Sequence, residues 1–141
     1  MQLSNLLRTV LKLDAASCLG LGALALVAAG TFESPFGIDA AILRGAAAPL
    51  IPLGLFILWL GTRREAPVAL VWLVIVGNFG WTAASIVAAA SLPGITALGG
   101  AAVVGQGVAV LVLALAEWAG VRASQQADWN GPRAASLSSE G

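Results

Sequence analysis

The sequence predicts an all-α polytopic membrane protein, four transmembrane helices in an up-down-up-down bundle, and three observations carry that prediction. Between Glu65 and Glu117 the chain runs for 51 residues without a charged side chain, and Ser91, Leu92, Pro93 and Gly94 break the run near its middle. Ala15 to Phe32 and Gly45 to Thr62 are two further charge-free runs of 18 residues each. The composition is 59% hydrophobic and 10% charged with a mean hydropathy of +0.92, whereas a soluble domain carries roughly 25% charge. A bilayer core about 30 Å thick takes roughly 20 apolar residues per helical span, so the long run fits a hairpin of two spans and the shorter runs one span each.

The spans fall near residues 10–30, 42–61, 67–90 and 95–119, which makes residues 1–120 a membrane domain. Arg8 and Lys12 precede the first span, and Ala28-Ala29-Gly30 resembles a signal cleavage site. The apolar run is longer than a usual signal core, however, so a retained helix is expected. Cys18 is not a lipid-anchor cysteine, because its long apolar run follows it rather than precedes it. Glu33, Ser34, Pro35, Gly37 and Asp39 form a polar turn before the second span, where Pro49 and Pro52 each remove a backbone donor and predict a kink. Thr62-Arg63-Arg64-Glu65 closes the second link, and Pro67 stands early in the third span. The fourth span opens with Gly94, Gly99, Gly100, Gly105 and Gly107, small residues that allow helices to approach closely in lipid, here against the alanine-rich end of the third. Residues 121–141 are rich in Ser, Gln, Gly and Pro and read as a flexible polar cytoplasmic tail.

Orientation follows from the cations. Arg8, Lys12, Arg63, Arg64, Arg122 and Arg133 share one side and only Arg44 falls on the other, so the positive-inside rule places both termini in the cytoplasm. Trp59, Trp72 and Trp118 fall at the same ends of their helices, as an interfacial aromatic belt would; Trp81 does not.

Polar groups within the spans are few. Asn78, Thr82 and Ser85 are spaced i, i+4, i+7 on one face of the third helix, bordered by Trp81, and Gln106 reaches a similar depth from the fourth. An Asn78–Gln106 hydrogen bond is the expectation; the same groups would line a cleft for a small ligand or a partner helix. Asp14 and Glu117 are expected at the interface, paired with nearby cations, with a proton-coupling carboxylate as the alternative. Arg44 is expected to pair with Glu33 or Asp39, or to snorkel to lipid phosphate.

Several chemistries are absent by composition. With no histidine, no tyrosine and one cysteine, the chain offers no His-based triad, imidazole metal site, bis-histidine haem site or internal disulfide, so no catalytic, cofactor-binding or metal residue is assigned. A net charge of zero gives no footprint for nucleic acid.

Leu11 to Cys18 (LKLDAASC), Leu43-Arg44 before a proline-containing helix, Val71 to Trp81 (VWLVIVGNFGW), Thr96 to Leu98, Gln106 and Glu117-Trp118 together carry a resemblance. Over residues 8–122 the chain resembles small bacterial four-helix integral membrane proteins, with a general layout similar to that of DoxX-like proteins. The resemblance implies the four-helix fold and a bacterial inner-membrane location; it supplies no catalytic residue.

The function expected from these features is non-enzymatic: a small integral membrane protein that packs with or stabilises a membrane assembly, its partners being the lipid bilayer and another membrane protein or further copies of itself. A small oligomeric transporter or channel, with Asn78, Gln106, Asp14 and Glu117 as liners, is the alternative. A quinone- or pigment-associated redox accessory protein, binding beside Trp81 and Asn78, is the third.

Overall fold

A computed structural model describes residues 1–138, with side chains described through Gln126 and at Trp129. It contains α1 (Asn5–Phe36), α2 (Ala40–Ala47), α3 (Leu50–Thr62), α4 (Val68–Ser91) and α5 (Ala97–Ser138). Four segments are long and apolar enough to cross a membrane: Asn5–Phe36, Ala40–Thr62, Val68–Ser91 and Ala97–Gln126. Helices α2 and α3 together make the second of these.

Each boundary has a local cause. The Ser4 hydroxyl accepts a hydrogen bond from the Leu7 N–H at 3.2 Å and starts α1, and Gly37, at φ +63°, ends it with its N–H on the Glu33 carbonyl. Asp39 caps α2 by accepting from the Ala41 N–H at 2.7 Å. The expected kink is present only as a local irregularity at Ala48 and Pro49, between α2 and α3, where both residues keep right-handed helical dihedrals. Pro49 and Pro52 cannot donate, which leaves the carbonyls one turn before each without a helical partner. Pro67 precedes α4, and Pro93 with Gly94 at φ +79° prevents α4 from continuing.

The long helices alternate in direction as a bundle of four spans, but they are not equally close. Helix α1 lies against both α3 and α5, and α5 lies against α4, whereas α3 and α4, joined by residues 63–67, have no comparable backbone contact. The centre of the bundle is thus closed by the first and last spans. The packed apolar side chains, among them Leu7, Leu11, Ile57, Leu60, Val71, Ile75 and Val121, gather toward the end that carries the cations.

That end is tied by backbone. The Leu3 N–H donates to the Arg64 carbonyl at 2.8 Å and the Ala66 N–H to the Met1 carbonyl at 3.2 Å, so the start of the chain pairs with the α3–α4 link. The Ser4 N–H donates to the Ser124 hydroxyl at 3.0 Å, which brings in α5. The guanidinium carbons of Arg63 and Arg122 stand 4.7 and 4.1 Å from the ring centres of Trp59 and Trp118, so cations and indoles share one level.

At the opposite end the turns themselves touch. The Thr96 N–H and hydroxyl donate to the carbonyls of Phe36 and Pro35 at 3.0 and 2.7 Å. A side chain on Gly37 would collide with the Gly94 carbonyl, and one on Gly99 with the Phe36 carbonyl. The glycine-rich start of the fourth span is therefore used partly differently from expectation. Gly107 does meet Ser85 on α4, but Gly99 packs on the end of α1, and Gly100 and Gly105 have nothing within 4 Å.

The tail expectation is also corrected. Residues 121–138 continue α5 without interruption, and Val121 and Ser124 are buried, because Ser124 accepts from Ser4 and donates to the Gly120 carbonyl at 2.9 Å. Residues 139–141 lie outside the described part, as does the side chain of Arg133.

Candidate functional site

The polar face of α4 does not act as one unit. Asn78, Thr82 and Ser85 are buried as their spacing suggests, but they divide between two groups of partners.

The first group is acidic. The Asn78 amide nitrogen donates to Asp14 Oδ2 at 3.0 Å and to Glu117 Oε2 at 3.2 Å. Both carboxyl groups are fully buried, at 0% exposure, and Asn78 is at 5%. The Cys18 thiol, one turn beyond Asp14, approaches Asp14 Oδ1 at 3.9 Å, and Glu117 Oε1 is buried with no hydrogen-bond partner. One amide from α4 thus joins carboxyl groups from α1 and α5, and among the described residues none of the partners of either carboxyl is cationic.

This corrects the expected pairing of Asp14 and Glu117 with cations: both carboxyl groups are buried against Asn78, and among the described residues Arg8, Lys12 and Arg122 are not hydrogen-bond partners of either. Asp14 lies two residues from Lys12, and Glu117 lies next to Trp118, so both acids stand toward the cation-rich end of their helices.

The second group is neutral and closed. The Trp81 indole N–H donates to Gln106 Oε1 at 2.8 Å, the Gln106 amide nitrogen donates to the Ser85 hydroxyl at 2.6 Å and to the Val103 carbonyl at 3.1 Å, and Ser85 donates to the Trp81 carbonyl at 2.8 Å. The expected Asn78–Gln106 bond is therefore absent: Gln106 is engaged by Trp81 and Ser85, and Asn78 by the two acids. Thr82 bridges the hairpin, its hydroxyl lying 3.0 Å from the Asn78 carbonyl and 3.1 Å from the Gly107 carbonyl. Arg44 is exposed at the other end of the bundle, and Asp39, one of its expected partners, is occupied as a helix cap.

A cavity of about 140 Å³ lies between the two groups, walled by Cys18 and Leu21 of α1, Leu50 and Leu53 of α3, Gly77, Asn78 and Trp81 of α4, and Gln106, Val110 and Leu113 of α5. Asn78 belongs both to this wall and to the acidic cluster. Cys18 is the wall residue that sequence reasoning passed over; its i+4 spacing from Asp14 was the available signal. Among the described residues no group of three His, Cys, Asp or Glu side chains could hold a metal ion.

Four apolar spans folded around a buried polar centre define a multi-pass helical membrane protein. No family model, curated protein or solved structure matches the chain, so the polar centre itself carries the functional argument.

Proposed function

We propose that the protein is a small proton-linked carrier whose working centre is Asp14, Asn78 and Glu117. The observation that carries this reading is the pair of fully buried carboxyl groups sharing one amide donor, with no cation among their partners. An ionised carboxyl group buried within a membrane span is costly, and two negative charges so placed would repel in a medium of low polarity. Charge balance calls for a proton or another cation in the cluster, and a site that takes up one and releases the other is the minimal machinery of coupled transport. The adjoining cavity, which shares Asn78 and Cys18 with the cluster, supplies room for cargo. The cation-rich end is assigned to the cytoplasm by the positive-inside rule, with both termini there, and the bacterial inner membrane is the location the resemblance suggests.

Proton exchange at the centre is measurable without knowing the cargo. Proteoliposomes adsorbed on a solid-supported membrane and subjected to a pH jump should give a transient charge displacement, lost when Asp14→Asn and Glu117→Gln are combined. Absence of the transient in the unmodified protein would overturn the carrier reading. For orientation, a carboxy-terminal alkaline phosphatase fusion should be inactive; an active one would reverse it.

A second reading, a non-enzymatic subunit that packs with or stabilises a membrane assembly, is favoured by a separate observation. Gly80 on α4 and Gly100 and Gly105 on α5 open onto free space, and small-residue surfaces of this kind accept further helices in lipid. Cross-linking in native membranes that yields a discrete larger species through cysteines introduced at Gly80 or Gly105 would support it.

A further inference from the structure

We infer that the cavity walled by α1, α3, α4 and α5 binds a small, neutral, planar apolar molecule taken from the bilayer, a single aromatic ring lying beside the Trp81 indole. The inference goes beyond the carrier reading and stands without it, since Asp14 and Glu117 are no part of the cavity wall.

Three observations carry it. The first is that, among the described residues, every side-chain donor in the wall is already engaged. The Ser17 hydroxyl donates to the Asp14 carbonyl, the Cys18 thiol approaches the Asp14 carboxyl group, and the Asn78 amide nitrogen is taken by the two acids. The Trp81 N–H is taken by Gln106, and the Gln106 amide nitrogen by Ser85 and the Val103 carbonyl. No charged side chain of the described residues lines the cavity, and Leu21, Leu50, Leu53, Val110 and Leu113 make the rest of the wall largely aliphatic. An ion entering this space would leave its water and receive no counter-charge in exchange.

The second observation is size and shape. A volume of about 140 Å³ is close to the roughly 150 Å³ of an engineered apolar cavity that stays dry and binds benzene. Gly77 stands one turn before Trp81 on the same side of α4, and a Cβ there would meet nothing within 4 Å. The missing side chain leaves a bay beside the indole, where a second ring can lie offset or edge-on at the usual separation of about 4.5–7 Å between ring centres. The third is access. Helices α3 and α4 follow one another in the chain without close backbone contact, yet both contribute to the wall, and Leu53 of α3 and Gly77 of α4 are exposed. The wall thus reaches the outer surface of the bundle where those two helices part. Around four membrane-crossing segments that surface faces lipid, so a molecule dissolved in the bilayer arrives without passing through water.

A lipid acyl tail is the competing occupant. It shares the apolarity of the wall but offers the indole no planar face, and it gives up chain freedom on entering a compact space, a cost that a rigid ring does not bear.

Bromobenzene is a suitable probe, because its bromine quenches a neighbouring indole. In nanodiscs holding the full chain with Trp59→Phe, Trp72→Phe, Trp118→Phe and Trp129→Phe combined, added bromobenzene should lower Trp81 emission along a saturable curve. Excess toluene should restore the emission, and n-octane at the same content in the lipid should be at least about tenfold less effective. Gly77→Leu, which fills the bay, should abolish the saturable part. If the chain carrying the four replacements does not fold, the unmodified chain decides the matter: toluene should raise its thermal unfolding midpoint in nanodiscs and leave that of Gly77→Leu unchanged. Quenching that rises only linearly with the probe, or that survives Gly77→Leu, would overturn the inference. Equal competition by n-octane would overturn it in favour of an acyl tail. The carrier reading fails separately: saturable quenching without a pH-jump transient keeps this site and removes the carrier, and a transient without saturable quenching does the reverse.

Discussion

Two polar centres lie on successive turns of α4, and they solve the problem of polarity in a membrane differently. Around Trp81, Gln106 and Ser85 the principal donors and acceptors answer one another in a closed circuit. Around Asn78, a single amide nitrogen serves two acids, which also stand within hydrogen-bonding reach of each other. The first arrangement is what helix association in lipid calls for, a neutral tie of modest strength. The second is imbalanced, and the imbalance is of a kind that a proton or a bound cation removes. Polarity alone therefore does not identify a site; unmatched polarity beside a cavity does.

The comparison can be broken most directly at Asn78. Asn78→Ala removes the shared donor and leaves two buried carboxyl groups, so a loss of about 3–5 kcal/mol is expected from unfolding in mixed detergent micelles. A loss below about 1 kcal/mol would mean that the acids do not depend on the amide. Next in size is Gly37→Ala, where the left-handed backbone and the Gly94 carbonyl both oppose a side chain. A cost of about 1–3 kcal/mol is expected in the same assay. Gln106→Leu opens the neutral circuit and should cost about 0.6–1.7 kcal/mol, the range of interhelical hydrogen bonds in membranes; a cost equal to that of Asn78→Ala would erase the distinction between the centres. The smallest effect is coupling. A double-mutant cycle between Asn78→Ala and Gln106→Ala should be additive to within about 0.5 kcal/mol, because the two amides share no hydrogen-bond partner.

The fold was legible in the sequence because membrane spans are written in long runs of one kind of residue. The charge-free stretches, the prolines at 49 and 52 and the Pro93-Gly94 turn each correspond to an observed element. The site was less legible, for a physical reason. Asp14 and Glu117 stood out individually, but nearby cations in the sequence made ion pairing the expectation, and only the packing of α1 on α5 shows that both acids turn inward to Asn78 instead. The pairing of Asn78 was misjudged for a related reason: similar depth on adjacent helices made Gln106 the nearest candidate, and only the packing of α1 on α5 brings two acids within reach of the same amide. Spacing within a helix is readable from one sequence; which faces of distant helices meet is not.

The ties at the cation-rich end also constrain how the protein is made. Residues 1–4 form their bonds with Arg64, Ala66 and Ser124, so this segment finds its last partner only after the fourth span is in place. Until then the opening segment has no stable seat, and the early spans must wait in the membrane as a loose set. The bundle is thus locked at this level by a contact between the segment before its first span and the helix of its fourth, a fastening that exists only when all four spans have assembled.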